Sequence, residues 1–445
     1  MQNEGKARTN NIIKNVKWTF IFKIWISVVT FLQVPIIIDC IGTYQNGVWL
    51  TISSLILWID IMDIGLGNGL RNKLSEAIAE GNRIKSRQIV SSAFVFLCLI
   101  VFPLFVTLEI FVANFDINTI FNTHGSLVPN LSEAVLFAVA MICCTFVFKL
   151  IGNVYMGLQL PAMSSLIQAC GLSLALLLTY VLYYTKHANF FNIVAVNTGC
   201  PVLTYIFFYP YTFWYKYPYL RPSFNYFNKD IAVLLLKMGV KFFCIQLGSL
   251  FLFASSNMLI SQLYNPSVVT TFQISYRYMT LLLTAFTIIA MPLWNATTDA
   301  FTKGDWEWIV SANKKMDKIS LLFVLCMLLM FLLSEQFYNI WINNDKVIIP
   351  YSYTFLIGIY VILLIFSTRY SYFLNGVGAL RLQLIFTFID ALLFITLAVI
   401  TSMFSDKIEY FIIIMCVTQI PGLIVNKIQF SKIINNKAEG IWKIV

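Results

Sequence analysis

Five basic residues lie inside or just within long apolar segments of this chain, where a cation has no bulk water to solvate it. They are Lys23, Lys149, Lys241, Arg277 and Arg369. A charge near the centre of a bilayer costs at least about 2.5–3.5 kcal/mol, so such residues face an internal cavity or a partner. In a cavity, Lys and Arg offer charge-assisted hydrogen bonds to a phosphate or another anion. These residue types predict an anion-binding site within a membrane.

Arg277 is the strongest of these cations. It lies in the segment QISYRYMTLLL, too deep for easy access to either membrane surface, which favours a cavity-facing role over a structural ion pair. Lys149 (TFVFKLIGN) and Arg369 (IFSTRYSYF) occupy equivalent segments of two halves of the chain, so both are candidates to face one central space. Lys23 and Lys241 are nearer to the segment ends, where a long side chain reaches the interface more easily.

Carboxylates occupy the apolar segments as well. Asp60 and Asp63 are three residues apart on one face of the second segment, in WIDIMDIGLGNG, and Asp390 lies in the middle of the eleventh. A carboxylate in such a place can hold a coupling proton or cation, or it can neutralise a basic neighbour. The sequence leaves both roles open for each of the three.

The composition identifies the elements that must position these charges. Hydrophobic residues make up 59% of the chain, charged residues 11%, and the mean hydropathy is +0.79, whereas soluble domains carry about 25% charge. The chain is therefore a multi-pass, all-α membrane protein, and at about 20 residues per span it has room for twelve helices. We predict spans at 18–38, 46–66, 89–112, 133–156, 160–183, 191–213, 238–262, 268–292, 318–340, 351–374, 382–403 and 409–430.

The loops differ in charge between the two sides of this map. One side carries most of the Lys and Arg residues, including both terminal segments, and the other carries only Lys186, Lys346 and Lys407. By the positive-inside rule both termini are cytoplasmic. The same bias explains most of the net charge of +10, so no nucleic-acid partner is needed. No Walker sequence and no Cys/His cluster occurs, and we expect no metal, no cofactor and no enzymatic activity.

A short motif occurs twice and divides the chain into halves. LRNKLSEAIAEGN begins at Leu70 and LWNATTDAFTKGD begins 223 positions later at Leu293, which indicates duplication. We predict six-helix halves at 1–213 and 238–445, joined by a cytoplasmic link at 214–237, with a substrate site between the halves. The motif predicts a short helix, ended by Gly81 in one copy, that acts as a structural elbow or contacts substrate directly. Its marker residues are Asn72, Glu76, Gly81, Asn295, Asp299 and Gly304.

The two motif regions also resemble a known family. The stretch from Asp63 to Ala77, ending in Ala79-Glu-Gly-Asn, and the stretch from Pro292 to Trp306 are similar to the loops after helices 2 and 8 of Wzx-type polysaccharide flippases. These belong to the multidrug/oligosaccharidyl-lipid/polysaccharide (MOP) exporter superfamily. The resemblance implies a V-shaped fold of twelve helices, like that of the MATE transporters, in a bacterial inner membrane. It also implies a cationic cavity, to which Arg277, Lys149 and Arg369 are assigned.

The resemblance further implies a cargo and partners. The cargo is an undecaprenyl-diphosphate-linked oligosaccharide, such as an O-antigen unit, turned from the cytoplasmic to the periplasmic leaflet by alternating access. A proton or sodium ion would couple the cycle, and a polysaccharide polymerase and a chain-length regulator would be partners. Two alternatives remain: a MATE-like exporter of a small molecule, and a membrane enzyme of polysaccharide assembly. The excess of deep cations disfavours the first, and the lack of clustered polar catalytic residues disfavours the second.

Overall fold

The long apolar segments of the sequence form long helices, since a helix satisfies every backbone polar group within itself. The computed structural model describes residues 2–61, 66–123, 125–237, 255–342, 347–379, 381–435 and 437–442, with the side chains of 2–16, 55–61, 68, 291, 292, 295, 299 and 302 left out. Within those ranges the regular elements are all helical. The chain falls into two compact units, Met1–Leu247 and Gly248–Val445.

Among the described residues, unit 1 contains seven α-helices with both ends described and a further helical run at 229–237. The seven are α1 (Gln2–Ile61), α2 (Leu66–Ala79), α3 (Arg83–Asn114), α4 (Ile117–Phe121), α5 (Leu131–Gly157), α6 (Pro161–Thr185) and α7 (Phe190–Pro210). A π-helix (Tyr211–Lys216) and two 3₁₀ turns (Pro218–Leu220 and Phe224–Tyr226) continue from α7. Helix α5 is central in this unit and contacts α2, α3, α6 and α7.

Helix α1 is interrupted at Gly42, which has φ 75° and ψ 171°. Glycine adopts this left-handed region without the steric cost that a Cβ imposes. The break lies between the predicted first and second spans, at 18–38 and 46–66, so the two predicted segments correspond to the two arms of one interrupted helix. The helical region 2–61 therefore contains two apolar segments, which are separated by the break at Gly42.

Unit 2 contains seven further α-helices among the described residues. They are α8 (Ser255–Leu263), α9 (Pro266–Thr302), α10 (Trp306–Leu332), α11 (Ser334–Ile342), α12 (Tyr351–Gly376), α13 (Arg381–Ser402) and α14 (Ile408–Ile434), followed by a 3₁₀ turn (Gly440–Trp442). Helix α12 is central here and contacts α9, α10 and α14. It is the counterpart of α5, because α5 and α12 cover the fourth and tenth predicted spans.

Two predicted spans of unit 2 differ from a single straight helix. The ninth, at 318–340, is divided between α10 and α11, whose axes differ by 60°. Most of the seventh, at 238–262, lies outside the described residues, and α8 covers only its end. Within the described ranges, eight helices are long and apolar enough to cross a membrane, or nine if the bent pair is one span. The multi-pass, all-helical class is confirmed, while twelve spans and cytoplasmic termini stay predictions.

Candidate functional site

Arg277 lies on a polar stripe of α9. Residues 273, 277, 280 and 284 are spaced four, three and four apart, which puts them on one side of a helix. They are Gln273, Arg277, Thr280 and Thr284, and all four are half-buried or exposed. The opposite side is packed into the unit, with Ser275, Met279, Phe286 and Ala290 fully buried. The local sequence thus turns the cation and its polar neighbours away from the core of unit 2.

Arg277 forms no ion pair with any carboxylate in the part of the chain that the structure describes. Its nearest polar neighbours on the stripe already have other partners: Gln273 Nε2 donates to Asn257 Oδ1, and Thr280 Oγ1 donates to the carbonyl of Tyr276. The guanidinium of Arg277, which carries five N–H donors, donates no side-chain hydrogen bond to another described residue. A half-buried guanidinium in this state binds a phosphate more strongly than one in bulk water, because local dielectric screening is weaker.

Arg369 is placed differently from Arg277. It is 5% exposed, its guanidinium donates to the carboxylate of Asp317, and it lies 4.2 Å from the centroid of the Tyr370 ring. Asp317 is on α10 and Arg369 on α12, so the pair joins two neighbouring helices. The carboxylate of Asp317 thus neutralises Arg369, which we predicted to bind an anion. Nothing in the sequence indicated Asp317 as the partner, since it lies among Lys314, Lys315 and Lys318 and resembles a loop residue.

The other predicted cations occupy varied environments. Lys149 is half-buried on α5 and has an electrostatic or hydrogen-bonding neighbour of its own. Lys23 is exposed on α1. Lys241 and Asp63 lie outside the described residues, and the side chain of Asp60 does as well. The structure thus brings Arg277, Arg369 and Asp390 into one unit, and Lys23 and Lys149 into the other.

Asp390 lines a polar cavity within unit 2. The cavity has a volume of about 260 Å³ and lies among α12, α13 and α14. Asp390 is 3% exposed, and its Oδ1 atom accepts no hydrogen bond from the described residues. No Lys or Arg among them pairs with it. Hydroxyl and amide side chains supply most of the lining, which includes Ser367, Thr368, Ser371, Gln383, Thr387, Gln419 and Asn426.

Gly422 makes room for this carboxylate. A Cβ at position 422 would lie 2.8 Å from Asp390 Oδ2, closer than ordinary contact allows. This role could not be predicted from the sequence, because Gly422 follows Pro421 in an apolar helix and its packing partner is 32 positions earlier. Carboxylate, hydroxyl and amide oxygens are the ligand types that hard cations prefer, and a buried carboxyl group can also hold a proton. The cavity therefore has the chemistry of a cation or proton site.

The two copies of the repeated motif have the same local geometry. Gly81 and Gly304 have φ values of 70° and 72°. Each ends a helix, and the next residue, Asn82 or Asp305, accepts a hydrogen bond at the start of the following helix from the backbone N–H of Lys85 or Trp308. The predicted helix stop at Gly81 is confirmed. An N-cap of this kind satisfies a backbone donor that has no partner within the helix.

Each copy also packs against a glycine that aligning the two motif copies does not reveal. A Cβ on Gly157 would lie 3.1 Å from Leu74 Cβ, and a Cβ on Gly376 would lie 2.7 Å from Thr297 Cβ. Leu74 and Thr297 are equivalent positions of the motif. The glycines end α5 and α12, the central helices of the two units. In unit 1 the motif forms the short helix α2, as predicted, whereas in unit 2 the predicted short helix is wrong and the motif is the C-terminal part of α9. In both units the motif packs against the end of the central helix.

The marker residues of the motif do not share one environment. Asn72 and Glu76 are exposed on α2, and Lys73 Nζ lies 2.6 Å from Glu76 Oε2. The hydrogen bond from Lys73 holds the pKa of Glu76 below its ordinary range. Asn295 and Asp299 belong to α9, with side chains outside the described set. The exposed positions contrast with the buried Leu70, Leu74 and Ala77, which pack into the core of the unit.

The close contact at Gly376 gives a testable result. We expect Gly376→Ala to lower the free energy of unfolding by about 1–3 kcal/mol, the usual range for overpacking, because the new Cβ would also lie 2.9 Å from the carbonyl oxygen of Trp294. Gly358→Ala, on the same helix, is the matched control, since its Cβ would meet the side chain of Met327 at ordinary contact distances of 3.6 and 3.7 Å. Thermal unfolding in detergent measures both. Equal unfolding temperatures for the two variants would contradict the packing argument.

The fold and the polar interior together define a class: a multi-pass membrane protein with the fold of MATE-type transporters. A solved structure titled as the inward-facing conformation of a multidrug resistance MATE family transporter of the MOP superfamily matches with a TM-score of 0.77. The match covers 93% of this chain and 96% of that one at 15% sequence identity. At this identity the likeness establishes the fold alone. No family model matches the chain.

Two curated proteins are more specific relatives. A protein of Yersinia pseudotuberculosis named as an O-antigen export protein is 24% identical over 366 residues, which are 79% of this chain and 80% of the relative. A protein of Salmonella typhimurium named as an O-antigen transporter is 20% identical, over 87% of this chain and 88% of the relative. These findings confirm the resemblance to flippases of the MOP superfamily. They support a membrane exporter or flippase rather than an enzyme.

Proposed function

We propose that the chain flips undecaprenyl-diphosphate-linked oligosaccharide units from the cytoplasmic to the periplasmic leaflet of a bacterial inner membrane, by alternating access. The observation that carries this proposal is Arg277, a half-buried guanidinium in a long apolar helix, with no ion-pair partner among the described residues. An unpaired cation in such a place is costly, so we infer that an anion neutralises it during the transport cycle. The names of the two curated relatives support a lipid-linked saccharide as the cargo.

The chemistry of the cargo matches this arrangement. The polyprenyl tail gains about 0.8 kcal/mol per buried CH₂ and can stay in the lipid. The diphosphate and the sugars cannot cross hydrocarbon unaided, because unpaired charges and polar groups are strongly disfavoured there. Arg277 supplies a planar fork of donors that suits phosphate oxygens, and Gln273, Thr280 and Thr284 extend the polar side of α9. Lys149 and Lys23 are further candidates, whereas Arg369 already has Asp317 as its partner.

Asp390 and its cavity supply the proposed coupling site. The buried carboxylate has no cationic partner within the described residues, which favours ion or proton binding over the ion-pair role that the sequence left open. Entry of a proton or a sodium ion into this cavity would neutralise Asp390 and return the empty transporter to its starting state. Asp60 and Asp63 stay candidates on sequence grounds alone. A polymerase and a chain-length regulator are the proposed partners downstream.

A MATE-like exporter of a small molecule is the second candidate, and the shared fold supports it. The two candidates differ in the charge that they require. A cationic drug would be repelled by Arg277 and would need an acidic residue facing it. Among the described residues of unit 2 the buried acidic group is Asp390, and it lines a separate cavity with hydroxyl and amide neighbours rather than the polar stripe of α9. The anionic cargo is therefore the better match.

The function is tested by removing the whole protein from its native cells. We expect lipid-linked oligosaccharide to accumulate on the cytoplasmic leaflet, where it is inaccessible to a membrane-impermeant glycan-oxidising label applied to spheroplasts. Re-expression of the chain should restore labelling, while total lipid-linked oligosaccharide, measured after membrane lysis, controls for synthesis. If the deletion leaves labelling unchanged and instead makes the cells sensitive to cationic drugs, the exporter reading replaces the flippase.

A further inference from the structure

The segment after α7 is fixed to the start of α3 within unit 1. Arg87 Nε donates to the carbonyl of Arg221 at 3.1 Å, and the backbone N–H of Ser223 donates to Ser91 Oγ at 3.1 Å. The backbone N–H of Asn228 donates to Ser92 Oγ at 2.9 Å. Residues 211–228, which include most of the predicted link, are thus held against the first turns of α3 and form one surface with them.

Four cations on this surface each lie over an aromatic ring. Arg87 is 4.0 Å from the centroid of Tyr226, Arg83 is 5.6 Å from Tyr219, Arg221 is 5.6 Å from Trp214, and Lys216 is 5.6 Å from Tyr217. We name this set, the four cations with their four rings, the aromatic-basic surface. A ring face holds a guanidinium by cation–π attraction while leaving its edge N–H groups able to bind an anion.

The charge of the aromatic-basic surface is not offset nearby. None of its four cations forms an ion pair with a carboxylate in the described ranges, whereas the neighbouring Lys85 is paired with Glu80 at 2.8 Å. The first turn of α3 contains no acidic residue. Positive charge is therefore concentrated where α3 begins, and the surface favours an anionic partner.

An exposed apolar stripe runs along α7 and the π-helix that follows it to this surface. The stripe consists of Leu203, Phe207, Tyr211 and Trp214, which are 57%, 75%, 39% and 61% exposed. Their spacing of four, four and three puts them on one side of the helix. The stripe belongs to a candidate membrane span that ends at Lys216. Trp and Tyr at the end of a span mark the level of the lipid headgroups. The cations of the aromatic-basic surface follow at that level.

We propose that the aromatic-basic surface is a binding site for anionic phospholipid headgroups, with the phosphate held by Arg83 and Arg221 and the acyl chains along the exposed apolar stripe. The stripe favours a membrane lipid over a soluble anion, because it places acyl chains directly beside the cations that bind the phosphate. This site is independent of the transported cargo, so it stands or falls separately from the proposed flippase activity.

The test uses the full-length protein in a neutral detergent with phosphatidylglycerol as the probe. We expect saturable binding of phosphatidylglycerol, seen by native mass spectrometry and as a rise in unfolding temperature, with little binding of phosphatidylcholine. Each basic residue near an anionic lipid surface contributes about 1 kcal/mol, which is about fivefold in affinity. Arg83→Gln and Arg221→Gln should each weaken binding by about that factor. Lys186→Gln, an exposed cation at the opposite end of a span in unit 1, should leave binding unchanged.

Two further measurements keep the result decisive. Arg221→Lys retains the charge and should bind nearly as well as the unmodified protein, which separates charge from any folding defect of the Gln variant. Binding by the unmodified protein should weaken between 0.05 and 0.5 M salt, as expected for screened surface charge (roughly 14 to 4 Å of Debye length). Unchanged affinity in the Arg83→Gln, Arg221→Gln double variant, or equal binding of phosphatidylcholine, overturns the proposal. Displacement of the lipid by millimolar inorganic phosphate overturns it as well, in favour of a soluble anion.

Discussion

Arg277→Ala is expected to leave lipid-linked oligosaccharide on the cytoplasmic leaflet while the protein is made at its normal level. The substitution removes the guanidinium from the polar stripe of α9 and leaves the buried side of that helix untouched. A hydrogen bond to a charged group contributes about 1.5–3 kcal/mol, which corresponds to a loss of about ten- to a hundredfold in affinity for the diphosphate. Transport at low substrate concentration should fall by the same factor.

Two companion variants sharpen this experiment. Arg277→Lys keeps the charge but not the planar fork of donors, so it should restore transport only in part. Arg381→Ala removes an exposed arginine from the start of α13 in the same unit and should transport normally. The measurement is the fraction of oligosaccharide accessible to an impermeant label, at matched protein abundance. Normal transport by Arg277→Ala would show that Arg277 has no role in substrate binding.

Asp390→Asn should separate transport from stability. The amide keeps the size of the side chain but can neither carry a negative charge nor take up and release a proton. Stimulation of flipping by an imposed ion gradient should therefore disappear. The free energy of unfolding should stay the same or rise by about 1 kcal/mol, because a neutral amide costs less to bury than a carboxylate without a cationic partner. The measurement is flipping of a fluorescent lipid-diphosphate oligosaccharide in proteoliposomes, with a proton gradient or a sodium gradient applied in turn.

The cavity offers an independent way to disturb the same carboxylate. Gly422→Ala introduces a Cβ that would lie 2.8 Å from Asp390 Oδ2, so the carboxylate must move while its charge is retained. We expect it to reduce the gradient response without abolishing it. Asp406→Asn, an exposed acid after α13, is the matched control. A gradient response that persists in Asp390→Asn would assign coupling to another group and leave Asp390 a structural residue.

Hydropathy and the repeated motif allowed much of the helical layout to be predicted. The apolar segments matched the helices at the fourth, fifth, tenth, eleventh and twelfth spans closely, because in a bilayer segment length is set by hydrocarbon thickness. The helix ends at Gly81 and Gly304 could also be predicted, since a glycine just past a helix is a common terminator. These features depend on residues close together in the sequence.

The contacts between distant segments were not predictable. Asp317 pairs with Arg369 across 52 positions, and its charged neighbours made it look like a loop residue. The motif copies are 223 positions apart, which maps Lys149 onto Tyr372, but the structurally equivalent Gly157 and Gly376 are only 219 apart. That smaller displacement maps Lys149 onto Thr368, next to Arg369. Length differences between the motif and the end of the central helix, where connecting loops tolerate insertion, explain the discrepancy.

The threonines on the polar stripe of α9 have a mechanical consequence. Thr280 and Thr284 donate their hydroxyl hydrogens to the carbonyls of Tyr276 and Thr280, and Thr287 donates to the carbonyl of Thr284. Hydroxyls bonded to the preceding turn compete with the backbone ladder and often bend a helix. We therefore expect α9 to bend most easily in the turns that follow Arg277. An anion bound at Arg277, as proposed above, would lie next to the turns of α9 that bend most easily.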